Sequence, residues 1–245
     1  MTKRSSRAVS SHSDTPDRGK VQSLFGGGWD PLSEKRDQSY VRKIQPRSPN
    51  QQKFLTAIAD HSLTLAIGPA GTGKTYLAVS AAVEALEAGR IERIVLSRPA
   101  IEAGESLGYL PGDMMEKMAP YLRPLYDCLT DRLGGKRLRS LIEEGDIEIA
   151  PIGYMRGRTL NNAFVVIDEA QNCTYAQMKM LLTRLGWHST MVITGDPEQS
   201  DLLPGISGLA DVARRLEPLP GIAVVQLEDH DIVRHPLVGA MLGVL

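Results

Sequence analysis

Long hydrophobic runs are missing from this 245-residue chain, and with no apolar stretch of about 18 residues no transmembrane helix is expected. The first residues lack the apolar segment of a secretory signal. Residues 3–13 are rich in Ser and Arg and free of acids, as in an organellar transit peptide, but they lack that peptide's apolar face. Cysteine is nearly absent. Cys128 and Cys173 stand far apart without C-x-x-C or metal-ligand spacing, which leaves no disulfide framework and fits a reduced, cytoplasmic compartment. The five histidines form no H-E-x-x-H pair, and the closest two, His230 and His235, read as structural. Net charge is only −1, so no global basic field announces nucleic acid. Aromatics make up just 5% of the residues; aliphatics dominate, as in a parallel sheet packed between helices.

The charge that is present is unevenly placed. Residues 1–49 hold ten Lys/Arg against five Asp/Glu, while the remainder holds eighteen against twenty-four. A basic arm on an acidic body can reach nucleic acid, or simply be solvated. Residues 1–47 are Ser-, Gly- and charge-rich and are expected to be a disordered arm, with Leu24, Phe25 and Trp29 as its one apolar cluster. An ordered domain is expected over 48–245. Ser48, Pro49 and Gln51 read as N-cap, N1 proline and capping-box glutamine of its first helix.

Beyond that helix, apolar strand-like runs alternate with helical patterns. Strands are expected over 63–67, 94–97, 147–150, 164–167, 190–193 and 222–227. Helices are expected over 74–89, 114–133 and 136–144, after the capping box of Thr174 and Gln177, and after Pro236. This alternation predicts an α/β fold with a mostly parallel sheet flanked by helices. In such sheets ligands sit at the carboxyl ends of the strands.

The first strand ends in Gly68-Pro69-Ala70-Gly71-Thr72-Gly73-Lys74-Thr75, which fits G-x-x-x-x-G-K-[ST], the loop that wraps nucleoside triphosphate phosphates. Glycines let successive N–H groups turn inward around an anion, and the following helix aims its positive end at the same place. Lys74 is expected on β/γ oxygens and the Thr75 hydroxyl on Mg²⁺. The strand 164–167 stops in Asp168-Glu169. Asp168 is expected to hold Mg²⁺ and Glu169 to act as the base on an attacking water. After the next strand, Gln199 is a candidate sensor of the γ-phosphate. Gln51 is a candidate reader of adenine, in competition with its capping role, and Gln52 is the alternative. Arginines that would meet transition-state charge are Arg98, Arg123, Arg156, Arg158 and Arg234.

Together, Asn50-Gln51, the loop 68–75, Ser97-Arg98-Pro99-Ala100, Gly104-Glu105, Leu110-Pro111-Gly112-Asp113, Pro120-Tyr121-Leu122-Arg123-Pro124, the loop 154–159, Asp168-Glu169-Ala170-Gln171-Asn172 and Val233-Arg234-His235-Pro236 resemble the PhoH-like ATPase family over about residues 48–240. The resemblance implies a three-layer, RecA-like P-loop NTPase similar to the first motor domain of superfamily 1 helicases. In that comparison the loop 68–75 is motif I, Asp168-Glu169 motif II and residues 195–199 motif III. It also implies ATP and Mg²⁺ as cofactors and ATP hydrolysis coupled to RNA binding or remodelling. An ATP-gated adaptor for a protein partner, with little turnover, is the alternative. A single RecA-like domain lacks the second face that closes over ATP. A homo-oligomer, such as a ring, would supply it, with Arg234 or the Arg156/Arg158 loop reaching a neighbour's nucleotide.

Overall fold

The computed structural model of the chain describes residues 44–99 and 114–233. The N-terminal arm as far as residue 43, the turn at 110–113, Arg234 and the expected terminal helix lie outside the described residues.

Six strands form one parallel sheet: β1 (Leu63–Ile67), β2 (Arg93–Arg98), β3 (Ile147–Pro151), β4 (Ala163–Ile167), β5 (Thr190–Gly195) and β6 (Ile222–Gln226). Their order is β3-β2-β4-β5-β1-β6. Alternation along each strand sends side chains to two separate cores. Leu63, Leu65, Ile67, Val95 and Val165 face one side, and Ala66, Ile94, Leu96, Phe164 and Val166 the other.

The second side is covered by α1 (Pro49–Asp60), α2 (Lys74–Glu87), α3 (Met114–Leu133) and α4 (Gly135–Glu144), through Phe54, Leu77, Leu125 and Leu138 among others. The first is covered by α5 (Tyr175–Leu182) and α6 (Leu209–Leu216), through Met178, Leu181, Leu209 and Val212. Helices on both faces of an all-parallel sheet make the three-layer P-loop NTPase architecture. Among the described residues, no helix is long and apolar enough to cross a membrane.

Two local expectations change. Thr174 and Gln177 do form the reciprocal box that opens α5, but the box at α1 is only half made. Ser48 Oγ accepts from Gln51 N at 3.2 Å, whereas Gln51 Oε1 passes over Ser48 and accepts from Arg47 N at 2.7 Å. The cause is long-range: Gln51 Nε2 donates to Thr72 O of the glycine-rich loop at 3.0 Å, which turns the carboxamide away from its own helix end. Helix α6 has no counterpart among the sequence expectations.

Candidate functional site

The topology places β5 between the strand that delivers the glycine-rich loop and the strand that delivers the two acids. Parallel register then brings Ile67, Gly195 and Gln226 to the same level on three neighbouring strands. The loop leaves β1 here under tight packing. At Gly68 (φ +148°) an added Cβ would lie 2.2 Å from Leu227 O, so only glycine lets the end of β6 close on the loop. Gly73 takes φ +82° immediately before α2, whose N-terminus therefore points into the loop's concavity.

Lys74 is 8% exposed, and its Nζ donates to Gly68 O at 2.5 Å and Pro69 O at 2.7 Å. Burial holds its pKa below the ordinary lysine value, opposed by the charges of Asp196, Glu169 and Asp168. Thr75 Oγ1 and Thr194 Oγ1 both donate to Asp168 Oδ1, at 2.6 and 2.7 Å. One buried carboxylate thus ties the loop helix to β4 and β5.

Glu169 follows with a left-handed backbone (φ +54°), which swings its side chain out of strand direction into a crevice of about 570 Å³. Its Oε1 accepts from Arg98 Nη2 at 3.2 Å and its Oε2 from Gln171 Nε2. Arg98 Nη1 lies 3.7 Å from Asp168 Oδ2. Gln171 is 2% exposed, and its Oε1 accepts from Asp196 N at 3.1 Å, which joins Glu169 to the loop after β5. The exposed Gln199 lines the same crevice as Glu169.

A model of the family described as "PhoH-like protein" matches residues 43–245. The chain belongs to the PhoH-like protein family. It is 55% identical to a PhoH-like protein of Bacillus subtilis (strain 168) over 202 residues, covering 82% of this chain and 63% of that one. It is 43% identical to Protein PhoH of Escherichia coli (strain K12) over 230 residues, covering 93% of this chain and 65% of that one. The chain therefore spans less than two thirds of the length of these relatives. Among solved structures, the large terminase from a thermophilic bacteriophage matches with a TM-score of 0.48 at 14% identity, covering 81% of this chain and 50% of that one.

In this PhoH-like chain, Gly68, Pro69, Ala70, Gly71, Thr72, Gly73, Lys74, Thr75, Asp168 and Glu169 share one edge of the sheet, with Arg98 between the two acids. Gln51 lies beneath the loop, 3% exposed, with both ends of its amide engaged; Gln52 is exposed and donates to Thr56 Oγ1 at 3.3 Å. Arg158 is committed elsewhere, gripping Glu148 through two bonds of 2.5 and 2.6 Å. Arg156 is exposed. Burial pushes the thiols of Cys128 and Cys173 up to about 12, so neither is a nucleophile at neutral pH.

The sequence reading gave no individual role to three residues: Thr194, and Gln171 and Asp196, which it placed within the resembling motifs. Each is a polar side chain at the end of an apolar strand, or within two turns of one, and each is buried. That placement is the signal that could have found them.

The donor set at Thr75 and Asp168 is one hydroxyl and one carboxylate. Among the described residues no group of three or more His, Cys, Asp or Glu could cage a metal. Such a sparse oxygen set fits Mg²⁺, which keeps waters and takes phosphate oxygens for the rest of its shell.

Proposed function

We propose that this chain is an Mg²⁺-dependent ATPase whose hydrolysis is coupled to RNA binding or remodelling. The observation that carries this reading is the sharing of Asp168 Oδ1 by Thr75 and Thr194, with Glu169 turned into the adjoining crevice. Backbone N–H groups of the loop and the N-terminus of α2 bind the phosphates, and Lys74 exchanges its two loop carbonyls for β/γ oxygens. Thr75 and Asp168 would hold Mg²⁺, which supplies neutralisation of phosphate charge. Glu169 orients the attacking water and accepts its proton once one of its oxygens leaves Arg98 or Gln171. Gln199, in the same crevice, reads the γ-phosphate.

Arg234 of a neighbouring copy serves as the finger in a homo-oligomer. The basic arm supports RNA as the partner, and the unpaired thiols support a cytoplasmic location. Adenine recognition by Gln51 requires its amide to leave Arg47 N or Thr72 O.

A second reading is favoured by one feature: both oxygens of Glu169 are engaged. If they stay so with ATP bound, the chain is a nucleotide-gated binding module for a protein partner.

Steady-state phosphate release from ATP, with and without single-stranded RNA, separates the two. Expected for the ATPase is stimulation by RNA and a loss of about 10²-fold or more in Glu169→Gln, with nucleotide binding kept. Equal, slow release by both proteins under all conditions would leave only the gated module.

A further inference from the structure

The loop after β3 and helix α5 build a face that nucleotide chemistry does not use. Between Ile149 and Gly195 the sequence holds only two carboxylates, Asp168 and Glu169, and both belong to the site. The same stretch holds Arg156, Arg158, Lys179 and Arg184. In a body where acids outnumber bases, the loop and helix of this stretch expose basic side chains, of which Arg158 is paired with Glu148.

Its geometry is held firmly. A 3-10 turn over Ile152–Met155 buries Ile152 and Met155 and leaves Tyr154 outside, 54% exposed. Arg158 braces the loop by its two bonds to Glu148, and its carbonyl accepts from Arg184 Nη1 at 2.8 Å. Arg156 is left exposed, and its side chain has no hydrogen bond or ion pair among the described residues. With Pro99, Gly153, Gln177 and Met180 it lines a groove of about 410 Å³ over the carboxyl ends of β2 and β3. Pro99 also lines the crevice of Glu169 and Gln199, so groove and crevice adjoin at that residue.

We propose that this groove is the track of a single RNA strand, with Arg156, which lines it, against the backbone phosphates and Tyr154, exposed on the turn beside it, stacked on a base. An exposed ring needs an unstacked base face, which single strands offer and duplexes do not. The unpaired guanidinium of Arg156 supplies the complementary charge. Stacking and phosphate contacts are tolerant of sequence, so the strand is bound with little base preference. The proposal rests on the RNA-coupled reading and gives it a route: a strand pressing on Pro99 acts next to Arg98, whose guanidinium holds Glu169.

The test is fluorescence anisotropy of a labelled oligouridine, titrated with the full chain across a salt series in the presence of a non-hydrolysable ATP analogue. Arg156→Ala is expected to reduce the slope of log affinity against log salt by about 0.7. Tyr154→Ser is expected to weaken binding roughly five- to a hundredfold with the slope unchanged. Both should retain wild-type affinity for a fluorescent ATP analogue. If wild type binds RNA and both variants match it in affinity and slope, the groove is not the track, while the RNA-coupled reading survives on another surface. If wild type binds nucleotide but no RNA, both fall. Competition by polyglutamate as effective as by unlabelled RNA would assign the groove to acidic protein segments and overturn the proposal.

Discussion

Replacing Gly68 by alanine tests whether the phosphate loop is clamped between β1 and β6. The added Cβ would lie 2.2 Å from Leu227 O and 2.8 Å from Leu227 C. That is short of ordinary contact by about 1 Å, and the obstacle is backbone that cannot swing aside. Leu227 N also donates to Ile67 O at 2.7 Å, so parting the two segments strains a sheet hydrogen bond. Overpacking of this kind costs about 1–3 kcal/mol, and a φ of +148° on alanine costs about 1–3 more. A loss of about 2–6 kcal/mol follows, or roughly 4–24 °C in melting temperature for a domain of this size. Gly89→Ala is the control. It too has a positive φ, +65°, but nothing lies within 4 Å of the added Cβ, so only the left-handed penalty of about 1–2 kcal/mol applies. Urea unfolding of both variants, followed by circular dichroism, separates clash from backbone strain. Equal losses in the two variants would refute the clamp.

Gln171→Ala leaves the buried Asp196 N–H without its partner and should cost about 1–3 kcal/mol in urea unfolding as well as slowing phosphate release. Gln171→Glu keeps an acceptor for that N–H but sets a second carboxylate against Glu169, so stability should recover in part while turnover stays low. At Glu148, the hydrogen bond and charge of Arg158 hold the carboxyl below its ordinary pKa, with Arg93 adding to the effect and burial opposing it. A folded-state pKa below the unfolded one stabilises above the unfolded value, and that gain is lost as pH falls through the folded value. The stability difference between wild type and Glu148→Gln should therefore be constant above about pH 5 and shrink below about pH 4. Because this pair is part-exposed, it should reach only about 0–1 kcal/mol.

What could be read from the sequence was what neighbouring residues decide. All six strands fall within two residues of expectation, because apolar runs bounded by Gly, Pro and Asp identify buried parallel strands locally. The loop 68–75 and the pair Asp168-Glu169 were legible for the same reason. Helix α6 was not, although Leu209, Val212, Ala213 and Leu216 carry the i, i+3, i+4, i+7 spacing. It is eight residues long and its N-cap, Gly208, has no side chain to cap it, so no start signal marks it. The remaining misses are bonds between distant segments. Gln51 abandons its helix cap for Thr72, and Thr194, Gln171 and Asp196 gain meaning only when β5 is set beside β4. Periodicity carries no information about such pairings.

The pairing of β1 also bears on how the chain is made. Leu63 is matched with Met191 on one side and Ile222 on the other, both more than a hundred residues downstream. A ribosome therefore releases the phosphate-loop strand early and its two flanking strands late. Until β5 and β6 emerge, Leu63, Leu65 and Ile67 have no lateral partners, and the loop's glycines have no neighbouring strand to hold their shape. Loop closure over such distances is slow and leaves an apolar strand edge open to other chains meanwhile. Residues read early from the messenger thus form the last working part of the protein, and a nascent chain stalled before β6 carries the complete phosphate-loop sequence without its clamp.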